Sequence, residues 1–235
     1  MTLFDYIEKQ LEKLHISVDS NQLKLFDNYV SEVAKWNKIH NLTGIKTKER
    51  LVDLLVLDSV LVTYHIDFLY KHLNLNKLSI LDVGSGNGSP GIIWSIIKTD
   101  ASLTLIEKNR KKAAFLNSLI QMLNLTGRVK VCQERVEKFF PQGVSNLITC
   151  RAFTDVSNFL EITNRFASEK TCWLLMTTCK LSQGISDQFL KKRGIIELTD
   201  TDGFLSKLHQ NYERNFSTKK VLLLKKMHRA KSYII

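Results

Sequence analysis

The first 43 residues contain neither glycine nor proline, so nothing of that kind interrupts a helix before Gly44. Long apolar runs are also missing. The run "IIWSII" (Ile92–Ile97) falls far short of the roughly 18 residues needed to span a bilayer. Cysteine is sparse: Cys132, Cys150, Cys172 and Cys179 show no C-x-x-C spacing and have no histidine pair nearby. That pattern argues against a metal site and for buried thiols in a reducing compartment. The N-terminal stretch "MTLFDYIEKQLEKLHI" interleaves acids with its apolar residues, unlike a signal peptide, and a cytoplasmic location is expected. Acidic residues are in deficit, with 23 Asp and Glu against 34 Lys and Arg, a net charge of +11. Such an excess favours a polyanionic partner, because Lys and Arg release counterions from phosphate backbones. There is no internal repeat and no low-complexity segment.

What is present is a chain of 235 residues, 44% hydrophobic, enough for one substantial α/β domain and an appendage. In the N-terminal part Leu3, Ile7, Leu11 and Leu14 repeat at helical spacing, and "SVDSNQ" supplies breaking and capping residues. Leu23, Phe26, Val30 and Val33 mark one face of a second helix, with Trp36 close by. A third is predicted from about Glu49 to Tyr64. Residues 1–75 therefore read as a helical extension.

From Leu78 short β-rich runs alternate with helical ones: "LSILDV" and "PGIIWSII", "SLTLIE" and "KKAAFLNSLIQML", "NLITC" and "VSNFLEITNRF". Such alternation predicts a doubly wound, mostly parallel sheet over residues 76–235. "VKVC" is short for a strand. "CWLLM" and "SDQFLKKR" follow, and the closing pair "IIELT" and "KKVLLLKK" has no clear helix between its members, which predicts an antiparallel ending.

The sharpest local signal is "LDVGSGNGSPG" (Leu81–Gly91), a glycine-rich turn between the first strand and the next helix. Open α/β sheets bind ligands at such strand-to-helix turns, where glycine lets the backbone approach a ligand. Ser89-Pro90 suits the N-cap and first position of that helix. Asp82, at the strand end, can fix the loop or meet a cation. Glu107 ends the next strand, 21 positions after Gly86, near the offset of an acid that accepts ribose hydroxyls. Gly86, Gly88 and Gly91 satisfy G-x-G-x-x-G, a dinucleotide pattern, while Gly84, Gly86 and Gly88 satisfy G-x-G-x-G. The second register resembles the first motif of class I methyltransferases, which binds S-adenosyl-L-methionine. An antiparallel final strand would favour it.

"WNKIHNLTGI" (Trp36–Ile45), "LDSV" (Leu57–Val60), the glycine loop, "ERVEKF" (Glu134–Phe139) and "CRAF" (Cys150–Phe153) occur in that order. Together they resemble the successive motifs of the RsmG family, also called GidB, over roughly residues 20–180. Members of that family are bacterial small-subunit ribosomal RNA methyltransferases that act on guanine N7. The resemblance implies a Rossmann-like class I methyltransferase fold, S-adenosyl-L-methionine as cofactor, and ribosomal RNA or the small ribosomal subunit as partner. The cysteine spacing and the short apolar runs lead to an expectation of no metal and no membrane, and a monomer is expected. Gly84 and Ser89 match cofactor-contacting positions of the loop; Gly86 of the same loop and Glu107, from its spacing, complete the expected cofactor set. Val136 and Glu137 match the pair that approaches the adenine. Arg151 matches an arginine near the cofactor and the guanine.

The sequence departs from the family pattern at Ser89, usually a larger apolar residue, and at Leu54 and Leu55, which replace a basic or His-containing lead-in. Thr177 stands where the family has a lysine, with Lys180 three positions on. The expected function is transfer of a methyl group to N7 of a guanine in 16S ribosomal RNA. The alternatives are a non-catalytic RNA-binding relative and an NAD-dependent oxidoreductase. Alkylating guanine N7 needs no strong base, and the six histidines are scattered without a catalytic constellation. Basic clusters at Lys108/Arg110/Lys111/Lys112, Lys191/Lys192/Arg193 and Lys219 through Lys231 offer footing for RNA.

Overall fold

The first three N-terminal helices each start at a side-chain cap. The Thr2 hydroxyl accepts the Asp5 amide and the Asp5 carboxylate accepts the Thr2 amide at the start of α1 (Leu3–Lys13). Asp19 and Gln22 repeat that reciprocal arrangement for α2 (Ser20–His40). Thr47 caps α3 (Lys48–Leu51), which runs through a π-wound segment, Val52–Leu57, into α4 (Asp58–His72). The third helical stretch is therefore longer than its apolar spacing predicts. The computed structural model describes residues 1–151, 153–178, 180–183, 185–198 and 219–227, with the side chains of His72, Lys219 and Lys220 excepted. Cys179, Arg229 and Lys231 lie outside them.

The chain divides into two compact units, Met1–Phe139 and Phe140–Ile235. The first holds α1–α4, then β1 (Ser79–Val83), α5 (Gly91–Ile97), β2 (Ser102–Ile106), α6 (Arg110–Met122) and β3 (Val129–Cys132). Its strands lie in the order β3-β2-β1, all parallel. Short "VKVC" is a strand because Val129 opposite Leu103 extends the ladder at the sheet edge. Phe26, Tyr29, Leu69, Trp94 and Phe115 are fully buried and form the core of this unit.

The second unit holds β4 (Leu147–Arg151), α7 (Val156–Thr163), β5 (Cys172–Thr178), α8 (Asp187–Lys192), β6 (Ile195–Glu197) and β7 (Lys219–Lys226). β4 and β5 are parallel, whereas β7 is antiparallel to both β5 and β6, giving the order β4-β5-β7-β6. The antiparallel ending expected from "IIELT" and "KKVLLLKK" is present. The buried Trp173 indole donates to the Thr163 hydroxyl at 2.9 Å, tying β5 to α7. Among the described residues the first unit thus has three parallel strands and the second four, of which β7 alone runs against its neighbours, a mixed and mostly parallel arrangement.

Candidate active site

In the first unit the parallel register sets Val83 opposite Ile106 and Ile106 opposite Cys132, so β1, β2 and β3 end at one edge. The residues leaving that edge are Gly84, Glu107 and the segment that reaches Val136. The Gly84 and Ser85 amides both donate to the Ile106 carbonyl, at 2.8 and 3.1 Å, and hold the loop root against β2. Gly84, Gly86 and Gly88 all have positive φ, at 73°, 54° and 90°. Gly88 has a second constraint, because a Cβ there would lie 2.8 Å from Ile92 Cγ1.

Glu107 reaches across to this loop. One carboxylate oxygen accepts the Gly86 amide at 2.9 Å and the other accepts the Asn109 amide at 2.7 Å. The residue is 6% exposed. Asp82 acts as the loop's other clamp: its carboxylate accepts the Gly91 amide at 3.3 Å. A Cβ on Gly91 would sit 2.6 Å from that same oxygen, so this glycine is there for close packing.

One expectation is corrected. Ser89 and Pro90 are not the N-cap and first residue of α5; Pro90 is the N-cap and Gly91 opens the helix. The capping contact comes from Asp82, and the Ser89 side chain turns the other way. Its hydroxyl lies 2.8 Å from that of Ser59, and both lie close to the Leu55 carbonyl, at 3.0 and 2.6 Å. One hydroxyl donates to that carbonyl while the other donates to its partner. The Trp94 indole donates to the Ser59 carbonyl at 2.9 Å, and the Tyr29 hydroxyl donates to the Asn87 carbonyl at 3.1 Å. The glycine loop is thus held from behind by α2, the π-wound segment and α4. The LDSV motif supplies Ser59 to that support, a role that the spacing alone does not reveal.

Of the remaining expected residues, Val136 is buried in a short 3₁₀ turn (Val136–Lys138) beyond β3, and Glu137 is exposed beside it. Arg151 is the last residue of β4, half-buried and paired in register with Met176. The structure therefore brings Gly84, Gly86 and Glu107 together directly, and Ser89 lies in the same loop. Val136 and Glu137 follow the end of β3, and Arg151 belongs to the second unit. Thr177 is 6% exposed, and its hydroxyl has no hydrogen-bond partner among the described residues. Leu55 is buried, and its carbonyl is the part used. No three His, Cys, Asp or Glu side chains among the described residues are grouped to hold a metal.

The loop chemistry separates the two cofactor registers. A dinucleotide's pyrophosphate is bound by free backbone amides at a helix N-terminus. Here the amides of Gly84, Ser85, Gly86, Gly88, Ser89 and Gly91 are all bonded within the protein. Pro90 has none, so among the described residues only the Asn87 amide is left. A ligand without phosphates, which offers hydroxyls and a ring to the loop, suits this arrangement better.

The family model described as GidB, rRNA small subunit methyltransferase G, matches residues 22–202. The chain belongs to this family. Among curated relatives, the ribosomal RNA small subunit methyltransferase G of Laribacter hongkongensis is 36% identical over 173 residues. That match covers 74% of this chain and 79% of the relative. The protein of the same name from Chromobacterium violaceum is 33% identical over 177 residues, covering 75% and 80%. In three dimensions the chain is similar to the plantazolicin methyltransferase BpumL in complex with SAH and a desmethylPZN analog. The TM-score to the monoazolic complex is 0.55 at 15% identity, over 88% of this chain and 99% of the other. The triazolic complex gives 0.55 at 13% identity, over 86% and 98%. These likenesses carry the fold, and the family match carries the motifs onto it.

Proposed function

We infer that this protein is an S-adenosyl-L-methionine-dependent methyltransferase acting on small-subunit ribosomal RNA, at N7 of a guanine. The observation that carries the reading is the family match over residues 22–202. A loop whose amides are mostly engaged within the protein supports it, because S-adenosyl-L-methionine, unlike NAD, brings no pyrophosphate. Residues 1–75 are then the helical extension and residues 76–235 the methyltransferase domain.

When bound, S-adenosyl-L-methionine supplies a methyl group activated on a sulfonium. Guanine N7 attacks with an in-plane lone pair and loses no proton, so the chain has to position groups rather than remove one. Gly84 and Gly86 let the cofactor approach the backbone. Glu107 accepts ribose hydroxyls through lone pairs left free by its two amide contacts. Val136 gives an apolar wall and Glu137 an acceptor for the adenine. Ser89 keeps the loop at its depth. Arg151 offers a planar fork of donors to the guanine or a phosphate and has no acceptor, so it positions rather than removes a proton.

Thermal melting with S-adenosyl-L-methionine against NADH tests the cofactor. The methyl donor raises Tm by mass action and NADH leaves it unchanged, while Gly84→Val stays folded and loses the shift. A wild-type Tm unmoved by millimolar S-adenosyl-L-methionine overturns the reading. In methyl transfer, Arg151→Ala loses rate with little change in Tm, and Arg151→Lys restores part of it, since a point charge lacks the planar fork. An Ala variant that loses stability but keeps its activity per folded molecule removes Arg151 from the reaction.

A further inference from the structure

The W-N-x-x-x-N-L-T motif folds into a turn that builds a second concavity. Asn37 clasps the chain after α2: its carboxamide nitrogen donates to the Ile45 carbonyl at 2.9 Å and its oxygen accepts the Thr43 amide at 2.8 Å. Asn41 ends α2 in the left-handed region, with φ 48°. The chain then returns toward α3. The clasp leaves a pocket of about 610 Å³ lined by α2, by Asn41, Ile45 and Lys46 of the turn, and by Lys48 and Leu51 of α3.

Four lysines line it, Lys35, Lys38, Lys46 and Lys48, and no acid does. Ala34, Ile45 and Leu51 supply its apolar surface, and Ser31, Asn37 and Asn41 its neutral polar groups. Lys35 pairs with Glu32 at 3.5 Å, and Lys48 donates to the Ser31 hydroxyl at 3.3 Å. Glu32 is further occupied by the Trp36 indole, at 2.7 Å. Lys38 and Lys46 have no ion pair among the described residues and are exposed. Two cations beside two more, with no acid in the lining, make a site for a polyanion.

The pocket is separate from the glycine loop. Ser31, Ala34, Lys35 and Lys38 follow one another at three- and four-residue spacing and so share one face of α2. Tyr29, Val33 and Trp36 lie about half a turn away, on the face that carries the Tyr29 bond to the Asn87 carbonyl. A ligand seated among the lysines therefore leaves the cofactor loop uncovered.

We propose that this four-lysine pocket seats the sugar–phosphate backbone of the ribosomal RNA substrate, away from the guanine that is methylated. The proposal rests on the ribosomal RNA reading above. Its chemistry is that of point charges on phosphate oxygens, which hold and register the RNA without reading its sequence. Ala34 and Ile45, over a floor at the buried Leu51, take the sugar edge.

The test compares Lys38→Gln/Lys46→Gln with Lys9→Gln/Lys13→Gln in the full chain. The second pair removes the same net charge from exposed positions on α1, outside the pocket. Binding of labelled small-subunit ribosomal RNA is followed by fluorescence anisotropy across a salt series, alongside methyl-transfer kinetics and S-adenosyl-L-methionine affinity. The pocket pair is expected to flatten the salt slope by about two and weaken RNA binding on the order of 10-fold near physiological salt. KM for RNA rises in step, while kcat and cofactor affinity hold. The α1 pair leaves the slope near wild type. Equal effects of the two pairs, or none from the pocket pair, overturn the pocket. So does inorganic phosphate alone stabilising the wild type but not the pocket pair while RNA binding is unchanged, since that is a free-phosphate site. A wild-type chain that neither binds nor methylates the RNA fails before any substitution, and then the ribosomal RNA reading itself falls and takes the pocket with it.

Discussion

Glu107 accepts the Gly86 amide at 2.9 Å, joining the end of β2 to the middle of the glycine loop. One buried carboxylate thereby fixes the loop and also stands where ribose hydroxyls are expected. Glu107→Ala is predicted to weaken S-adenosyl-L-methionine binding by about 1–3 kcal/mol, the range for a hydrogen bond to a charged group. It also lowers Tm, because the Gly86 and Asn109 amides lose their acceptor. Calorimetric titration and thermal melting read the two effects separately. Unchanged affinity with a lowered Tm would leave the residue a loop clamp alone.

The glycines of the loop separate by what surrounds them. Gly88→Ala drives a Cβ to 2.8 Å from Ile92 and adds the strain of a positive φ, and is predicted to cost about 2–5 kcal/mol in chemical denaturation. At Gly86 the nearest atom lies 3.7 Å from an added Cβ, so Gly86→Ala carries only the strain of its positive φ, about 1–2 kcal/mol. Gly86→Ala proving the more destabilising of the two would contradict this assignment.

Ser59 and Ser89 act as a unit around the Leu55 carbonyl. Each single change to Ala strands part of one buried network. The double variant is predicted to lose less than the sum, with a coupling of about 0.5–1.5 kcal/mol. Additive losses in urea unfolding would mean that the two hydroxyls do not share the network.

The strands and their alternation with helices were legible because runs such as "LSILDV", "SLTLIE" and "CWLLM" are apolar and end in turn or cap residues. The antiparallel ending was legible from what lies between "IIELT" and "KKVLLLKK". The glycine loop and Glu107 were visible through spacing, since a parallel crossover brings the next strand's end beside the loop. Ser89 was misjudged because Ser-Pro is a strong local capping signal, and nothing local shows that Asp82, nine residues earlier, supplies the cap instead. Tyr29 on Asn87 and Ser59 on Ser89 were out of reach for the same reason: they join residues 58 and 30 positions apart, and periodicity carries no such pairing.

Burial pushes the Cys172 thiol up, to about 12, with Lys225 opposing. Its folded pKa lies above the ordinary value of 9.0. The proton it holds therefore adds stability that is complete below about pH 9 and lost as pH rises toward 12. Over that window the group contributes a slope of about 1.4 kcal/mol per pH unit. Cys172→Ala is predicted to show a shallower alkaline loss of stability than wild type. Identical alkaline profiles would remove Cys172 as a cause.

The most direct measurement incubates the full chain with methyl-labelled S-adenosyl-L-methionine and small ribosomal subunits from cells that lack the gene. The label is then located by nucleoside analysis. Label is expected in the small-subunit RNA as 7-methylguanosine, lost with Gly84→Val and strongly reduced with Arg151→Ala. A chain that binds the cofactor yet leaves the RNA unlabelled would contradict that expectation and leave an RNA-binding relative without turnover.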